Sequence, residues 1–468
     1  VKLSSAVHFV GISGIGMSAL ARILLQRGYR VSGSSDRRTD LTDKLVSEGA
    51  VVHVGHAAAH LGAAGTVVTS TAIAHDNPEL SAARDRGLAI VHRGALLANV
   101  MNERRGIAIG GTHGKTTTTA MTARVLEAGG LDPTVVVGGE RLDTGSNARD
   151  GAGAWVVSEA DESDRSFLDL LPEIAVVTNI ENDHIDSDAD FPGLVAAFDA
   201  FVARVPRQGL VLVGCDEPRA AALARGPRAA LARGPRAART RTFGFAPGAD
   251  VRAVDVAYAD FGSSFGVVVD GARCGDVSLR VPGAINVLDA LPAIAIGLEL
   301  GVPFATIAAA LGSFLGVRRR FEILARTPRF TLVDDYAHHP TAVAATIAAA
   351  RANFSGPILV AFQPHRYTRT QYLAADFARA LAGADHVVLT DVYAASEPPI
   401  AGVGAASIGV PLAALGTDVA YVARVADLPA YVLDRAPHGA LVLMLGAGSI
   451  TTAAAALANT YVPSGVRA

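Results

Sequence analysis

Between Ile107 and Glu127 an apolar run, a glycine turn ending in Gly114-Lys115-Thr116 and a helix-compatible segment follow one another without a gap. A chain that does this has to bury a strand, turn sharply at its carboxyl end and start a helix over the turn. That is an α/β layer, and it is also an anion site. Backbone N–H groups and the helix dipole face a phosphate, the lysine adds a positive charge, and the following hydroxyl suits Mg²⁺. The usual phosphate loop has glycine six positions before its lysine; here that position is Ile109, and the turn keeps only Gly111 and Gly114. Composition strengthens the reading of Lys115. Of 41 basic residues only Lys2, Lys44 and Lys115 are lysines. A compact ammonium has therefore been kept where a planar guanidinium fits a phosphate poorly.

The same strand–turn–helix alternation runs through the chain. Ala6 to Val10 reads as a strand entering Gly11-Ile12-Ser13-Gly14-Ile15-Gly16-Met17, followed by a helix to about Gln26 and a second strand ending near Asp36. This opens a Rossmann-like unit for a nucleotide, although Ser13 replaces the middle glycine of the dinucleotide fingerprint. Further strands end at Thr69-Ser70-Thr71 and Val91-His92-Arg93. After the phosphate loop, Ala154 to Val157 leads into Ser158-Glu159-Ala160-Asp161-Glu162-Ser163-Asp164. Ile174 to Val177 leads into a run containing Glu181, Asp183, His184, Asp186 and, beyond it, Asp190. Polar residues just past a buried strand are where such a sheet places a site, and a carboxylate there reads as a Mg²⁺ ligand. Val251 to Val269 alternates in strand fashion, and an apolar helix from about Asn286 reaches Leu300.

Past Gly316-Val317-Arg318-Arg319-Arg320, strands around Thr331–Val333, Ile358–Ala361, His386–Leu389 and Leu441–Leu445 again end in polar groups. We expect three α/β domains: residues 1–103, Rossmann-like; 104–316, of the phosphate-loop ATPase kind; and 317–468, Rossmann-like again. Residues 221–236 repeat one eight-residue unit twice, too few copies for a solenoid, and read as a surface insertion. Zinc is not expected at Asp334-Asp335-Tyr336-Ala337-His338-His339. Adjacent histidines point apart on an extended chain, and no spaced histidine pair or cysteine completes a ligand set.

A formal net charge of -3 gives no reason for a nucleic-acid or membrane partner. Two cysteines and the absence of a signal-like or spanning-length apolar stretch lead us to expect a soluble, cytoplasmic protein.

Taken in order, these motifs resemble those of the Mur ligases over nearly the whole chain. They are Gly11 to Met17, Gly-Thr-His-Gly-Lys-Thr at 111–116, Glu-Ala-Asp-Glu-Ser-Asp at 159–164 and the Thr178-Asn179-Ile180-Glu181…Asp183-His184 run. Asn286, the Arg319-Arg320-Phe321 junction, Asp334 to Pro340 and Phe362 to Thr370 complete them. The resemblance implies an N-terminal UDP-sugar domain, a central ATP domain and a C-terminal domain that closes over ATP and the amino acid. It also implies ATP-dependent joining of L-alanine to the lactoyl carboxylate of UDP-N-acetylmuramate. The branches that add later residues use a carbamoylated lysine in the central domain, which is impossible here because no lysine follows Lys115. The tripeptide-recycling branch differs at Ser163 to Ser166; that ligase and a UDP-sugar- and ATP-binding protein that does not ligate are the alternatives. The chain departs from the family pattern at Ser35, Ile285, Asp289, Ala342 and Ser449.

Carried over residue by residue, Gly111, Thr112, His113, Gly114, Lys115, Thr116, Thr117, Asn286, Arg320 and Asp334 (or its neighbour Asp335) are expected at ATP. Thr116, Glu159 and His184 are expected at Mg²⁺, with two ions, and Lys115, Glu159, His184 and Arg320 in catalysis. Gly11, Gly14, Gly16, Met17, Ser34, Thr71 and Arg93 are expected at the UDP-sugar, and Tyr336, His365, Arg366 and Arg369 at the amino acid. A monomer or homodimer is expected.

Overall fold

The computed structural model describes residues 2–182, 191–225 and 238–461. Within them the chain builds three sheets in sequence. The first is wholly parallel, in the order Val51–Val54, Arg30–Ser35, Ala6–Val10, Thr66–Thr69, Ala89–His92. Its order reverses between Ala6–Val10 and Thr66–Thr69, and the crevice above that reversal is where doubly wound sheets hold ligands.

The second sheet has ten strands. Its parallel centre runs Arg239–Gly244, Leu210–Gly214, Ile174–Val177, Arg105–Gly110, Trp155–Glu159, Thr134–Val136. Ile107, Ile109, Val157 and Val176 are fully buried, as expected of strands covered on both faces. The alternating stretch from Val251 is two strands rather than one, Val251–Ala259 and Gly262–Val269, and a third strand, Ala272–Leu279, extends this antiparallel edge. Asp260 and Phe261 both take left-handed backbone angles, which is what a two-residue hairpin turn requires.

The third sheet runs Glu322–Arg326, Phe330–Asp335, Ala440–Leu445, Ile358–Phe362, His386–Leu389, Asp418–Tyr421, and only its first pair is antiparallel. No helix among the described residues is long and apolar enough to cross a membrane. Cys215 and Cys274 are both free. Of the repeated segment, residues 226–236 lie outside the described residues, as do His184, Asp183, Asp186 and Asp190.

The first two domains share buried apolar packing, and charged pairs also cross the seam between them. Arg27 pairs with Asp150 at 3.0 Å, Lys44 with Glu140, and Arg93 with Asp161 at 2.7 Å and Asp164 at 3.2 Å. Arg22 also reaches the Asn147 side chain. The third sheet is reached through Arg319 and Phe321, two non-glycine residues in left-handed conformations. Such residues are strained, and here the surroundings hold them: Phe321 N–H donates to Asp335 at 2.7 Å, and Arg319 N–H to Glu322 at 2.9 Å.

Candidate active site

The site is organised by the carboxyl end of Arg105–Gly110. That strand carries Ile109 in the core, paired with Val176 and Glu159, so the position of the absent glycine is part of the sheet and not of the loop. Only then does the chain turn. Gly111 (φ 125°) and Gly114 (φ 85°) have left-handed angles, and a side chain at either would collide, with Thr178 at the first and with the Asp289 carboxylate at the second. Helix Lys115–Ala128 starts immediately afterwards, leaving its first N–H groups facing the cleft.

The Thr-Asn-Ile-Glu run braces this loop from behind. Thr178 Oγ1 donates to His113 O at 2.6 Å, His113 N–H to Asn179 Oδ1 at 2.8 Å, and Glu181 N–H to Thr112 Oγ1 at 2.9 Å. Much of that motif therefore works by holding the loop's shape.

Lys115 Nζ donates to Gly111 O at 2.5 Å and to both oxygens of Glu162, at 2.7 and 2.9 Å. Burial alone would lower its pKa, but the carboxylates of Glu162, Asp161 and Glu159 outweigh burial and raise it. The lysine is thus firmly cationic. Glu162, 3% exposed, was not singled out among the candidate residues; its neighbour Glu159 carries the more familiar signal. Glu159 closes strand Trp155–Glu159 and accepts from Thr116 Oγ1 at 3.2 Å and from Gly138 N–H. Burial raises its pKa against the pull of Gly138 N–H, Lys115 and Arg320. A hydroxyl and a carboxylate side by side are hard oxygen donors, and they fit Mg²⁺.

A cleft of about 620 Å³ opens over this loop, lined from all three sheets. The first contributes Gly16 and Arg93, and the absence of a side chain at Gly16 lets the Arg93 guanidinium approach. The second contributes Thr112 to Thr117, Glu159, Asp161 and Asn286. The third contributes Arg319, Arg320, Asp335, Tyr336 and His338. Arg320 reaches Thr116 Oγ1 at 3.5 Å, and both Arg319 and Arg320 lie over the Tyr336 ring, about 5 Å from its centre.

Of Gly11, Gly14, Met17, Ser34, Thr71, Asn286 and Asp334, only Asn286 lines this cleft. Met17 is packed in the core, and Ser34 is buried with its hydroxyl turned to Glu79 at 2.5 Å. Gly11 (φ 78°) is covered by Ile73, and its N–H is tied back to Ser34 O. Gly14 caps helix Ile15–Gln26, and Thr71 is exposed in the turn after Thr66–Thr69. Asn286 donates to Pro282 O at 2.7 Å at the start of helix Ala284–Glu299. Asp334 does not line the cleft. It accepts from Thr451 at 2.6 Å inside the third domain, and Asp335, the next residue along an alternating strand, faces the cleft instead.

Of the amino-acid candidates, Tyr336 lines the cleft and the other three sit behind it. The rings of Tyr336, His338, His365 and Tyr393 form a chain with successive centres 4.9, 5.6 and 5.5 Å apart. Arg366 lies 3.6 Å from Glu397, and Arg369 is largely buried.

Sequence comparisons agree with this architecture. A Mur ligase family, catalytic domain model matches residues 6–105, a Mur ligase middle domain model residues 109–297, and a Mur ligase, glutamate ligase domain model residues 319–448. The chain is 43% identical over 445 residues to the UDP-N-acetylmuramate–L-alanine ligase of Geotalea uraniireducens, covering 95% of each chain. It is 46% identical over 452 residues to the enzyme of that name from Burkholderia ambifaria, again covering 95% of each. The solved structure of UDP-N-acetylmuramate-alanine ligase MurC from Thermotoga maritima superposes with a TM-score of 0.82 at 30% identity, covering 97% of this chain and 99% of that one. With three domain models matched in order and relatives aligned over nearly its whole length, this chain belongs to the Mur ligase family.

Proposed function

We propose that the chain joins L-alanine to the lactoyl carboxylate of UDP-N-acetylmuramate, with ATP converted to ADP and phosphate, at an early cytoplasmic step of peptidoglycan synthesis. The observation that carries this is the single cleft in which the phosphate loop of the second sheet faces Arg93 of the first and Arg320 and Tyr336 of the third. That cleft gives three substrates a place to meet, and relatives bearing that activity in their names align over 95% of the chain.

A carboxylate is a poor electrophile. In this reading the lactoyl oxygen attacks the γ-phosphorus, ADP leaves, and the resulting acyl phosphate gives up phosphate when the alanine amine attacks its carbonyl carbon. The protein's share is positioning and charge neutralisation. Lys115 holds the β- and γ-phosphates, exchanging its contacts with Glu162 for contacts with phosphate. Arg320 brings a second positive charge from the third domain. Thr116 and Glu159 would hold Mg²⁺, which supplies charge neutralisation at the transferred phosphoryl group. His184 is the residue we assign to a second ion. Gly11, Gly14, Gly16 and Arg93 serve the UDP-sugar end, and Tyr336, His365, Arg366 and Arg369 the amino acid, whose carboxylate suits a guanidinium fork. The domains divide at about 103 and 316.

The test is phosphate release with UDP-N-acetylmuramate and ATP against alanine, glycine, serine and a stem tripeptide. Alanine should give the highest kcat/KM; preference for the tripeptide would replace this reading with the recycling reaction. Release that is independent of any amine would remove ligation altogether. Lys115→Ala should abolish ADP formation while UDP-sugar binding, followed by calorimetry, persists.

A further inference from the structure

The two histidines that follow Tyr336 in sequence part company in the fold. His338 joins the ring chain of Tyr336 and His365, whereas His339 turns to the phosphate loop, its ring centre 5.1 Å from that of His113. Between those two rings lies Glu181. Its Oε2 is 3.4 Å from His113 Nε2 and 4.0 Å from His339 Nδ1, and one donor atom from each of the three residues falls within 4.8 Å of the others.

We propose that His113, Glu181 and His339 form a binding site for a borderline-soft divalent transition cation of the Zn²⁺ class, tying the phosphate loop to the C-terminal domain. Two imidazoles and one carboxylate are a complete three-ligand set for such a cation, with a fourth position left for water or an anion. Zinc bonds of about 2.0–2.2 Å place neighbouring ligand atoms roughly 3.3–3.6 Å apart. The 3.4 Å separation already meets that spacing, and the others reach it by side-chain adjustments on the order of 1 Å.

Two of the ligands are also held from behind. His113 is fixed through its backbone by Asn179 and Thr178. Thr341 Oγ1 donates to Glu181 Oε2 at 2.6 Å, the kind of outer contact that orients a ligating carboxylate. His339 is the residue before helix Pro340–Asn353, at the start of the third domain's first long helix. Among the described residues, His113 Nε2 is shut off from solvent and accepts or donates no well-formed hydrogen bond. Burial would favour the neutral form of Glu181, but His113, Thr341 and His339 outweigh it and keep the carboxylate ionised, as a ligand must be.

The site differs in chemistry from the Thr116–Glu159 pair. Thr116 and Glu159 offer oxygen alone, which suits Mg²⁺, whereas two imidazoles beside one carboxylate favour a borderline-soft cation. Two ligands come from the second domain and one from the third. An ion bound here therefore restrains their relative movement.

The test uses the full chain, titrated with Co²⁺ as the spectroscopic probe and with Zn²⁺ in competition, without nucleotide. We expect one Co²⁺ per chain with the intense visible absorption of a four-coordinate site, displaced by Zn²⁺ and not by millimolar Mg²⁺. Glu181→Gln and His339→Asn should each weaken Zn²⁺ binding by at least about tenfold. Glu159→Gln should leave it unchanged, as should His60→Asn in the first domain, where that imidazole stands 3.1 Å from Glu79. Melting curves identify any variant that fails to fold, and either of the two ligand variants suffices. Absence of saturable Co²⁺ or Zn²⁺ binding would overturn the proposal and leave the trio as an ion-pair contact. So would displacement by Mg²⁺, or an affinity unaltered in the folded ligand variants.

Discussion

Glu79 in the first domain and Asp289 beneath the phosphate loop are both carboxylates withdrawn from water, yet the fold drives them to opposite states. Burial raises both pKa values to begin with. For Glu79, hydrogen bonding from His8, Ser34 and His56 overcomes it, and the pKa drops to about 2. Ser34 Oγ stands at 2.5 Å, His60 Nδ1 at 3.1 Å, His56 Nδ1 at 3.2 Å and Ala57 N at 3.3 Å, so the charge is surrounded by donors. For Asp289 burial prevails. Arg320 and the Thr118 and Thr117 hydroxyls do not suffice, and the pKa is pushed up to about 8. Thr118 Oγ1 makes no well-formed hydrogen bond among the described residues. Burial decides protonation only where donors run short. The outcome suits each place. A neutral acid against Gly114 adds no negative charge beneath the phosphate loop.

The comparison is tested most severely at Glu79. Glu79→Ala leaves several buried donors without their acceptor and should cost about 3–5 kcal/mol, read as earlier urea unfolding of the first domain. A cost below about 1 kcal/mol would mean that the network adds nothing. Next in size is Asp289→Asn. Folded Asp289 holds its proton more tightly than the unfolded chain does, so the native protein loses stability as pH rises from the usual value of 3.8 to about 8, then levels off. The asparagine variant lacks that slope and should gain on the native protein by roughly 3 kcal/mol or more across the window. A pH-independent gap would show Asp289 ionised throughout. The slope for Glu79 has the opposite sign: its contribution is complete above the usual 4.5 and is lost as pH falls towards 2. Ser34→Ala removes one donor from this charge and should cost about 2 kcal/mol, with the acid limb of the stability curve shifted upward. Thr118→Val should be mildest, under about 1 kcal/mol, since its hydroxyl is poorly engaged.

How much of this was legible follows from how local each feature is. The phosphate loop could be read because strand, turn and helix start are contiguous, and the structure explains its missing glycine by keeping Ile109 in the sheet. The α/β sheets followed from apolar runs of strand length, although the alternating stretch from Val251 hid a hairpin whose turn residues, Asp260 and Phe261, carry no glycine signal. Which of Asp334 and Asp335 lines the cleft is not legible in the sequence, because adjacent strand residues face opposite ways and only the contact of Thr451 with Asp334 shows that Asp335 is the one at the cleft. The pairing of Lys115 with Glu162 could not be read, since several carboxylates in that motif were equally eligible. The nearness of His339 to His113 is not legible in the sequence, because the docking of two domains brings them together.

The seam between the first two domains has a property that no single pair in it displays. In every ion pair that crosses it among the described residues, the cation belongs to the first domain and the carboxylate to the second. The two surfaces are therefore oppositely polarised, like the faces of two proteins that find each other by electrostatic steering. Screening acts on such a boundary before it acts on apolar cores, because the Debye length shrinks from about 8 Å in physiological salt to about 3 Å at 1 M. Raising ionic strength should therefore weaken the charged part of the contact between the first and second domains, leaving the apolar packing they also share.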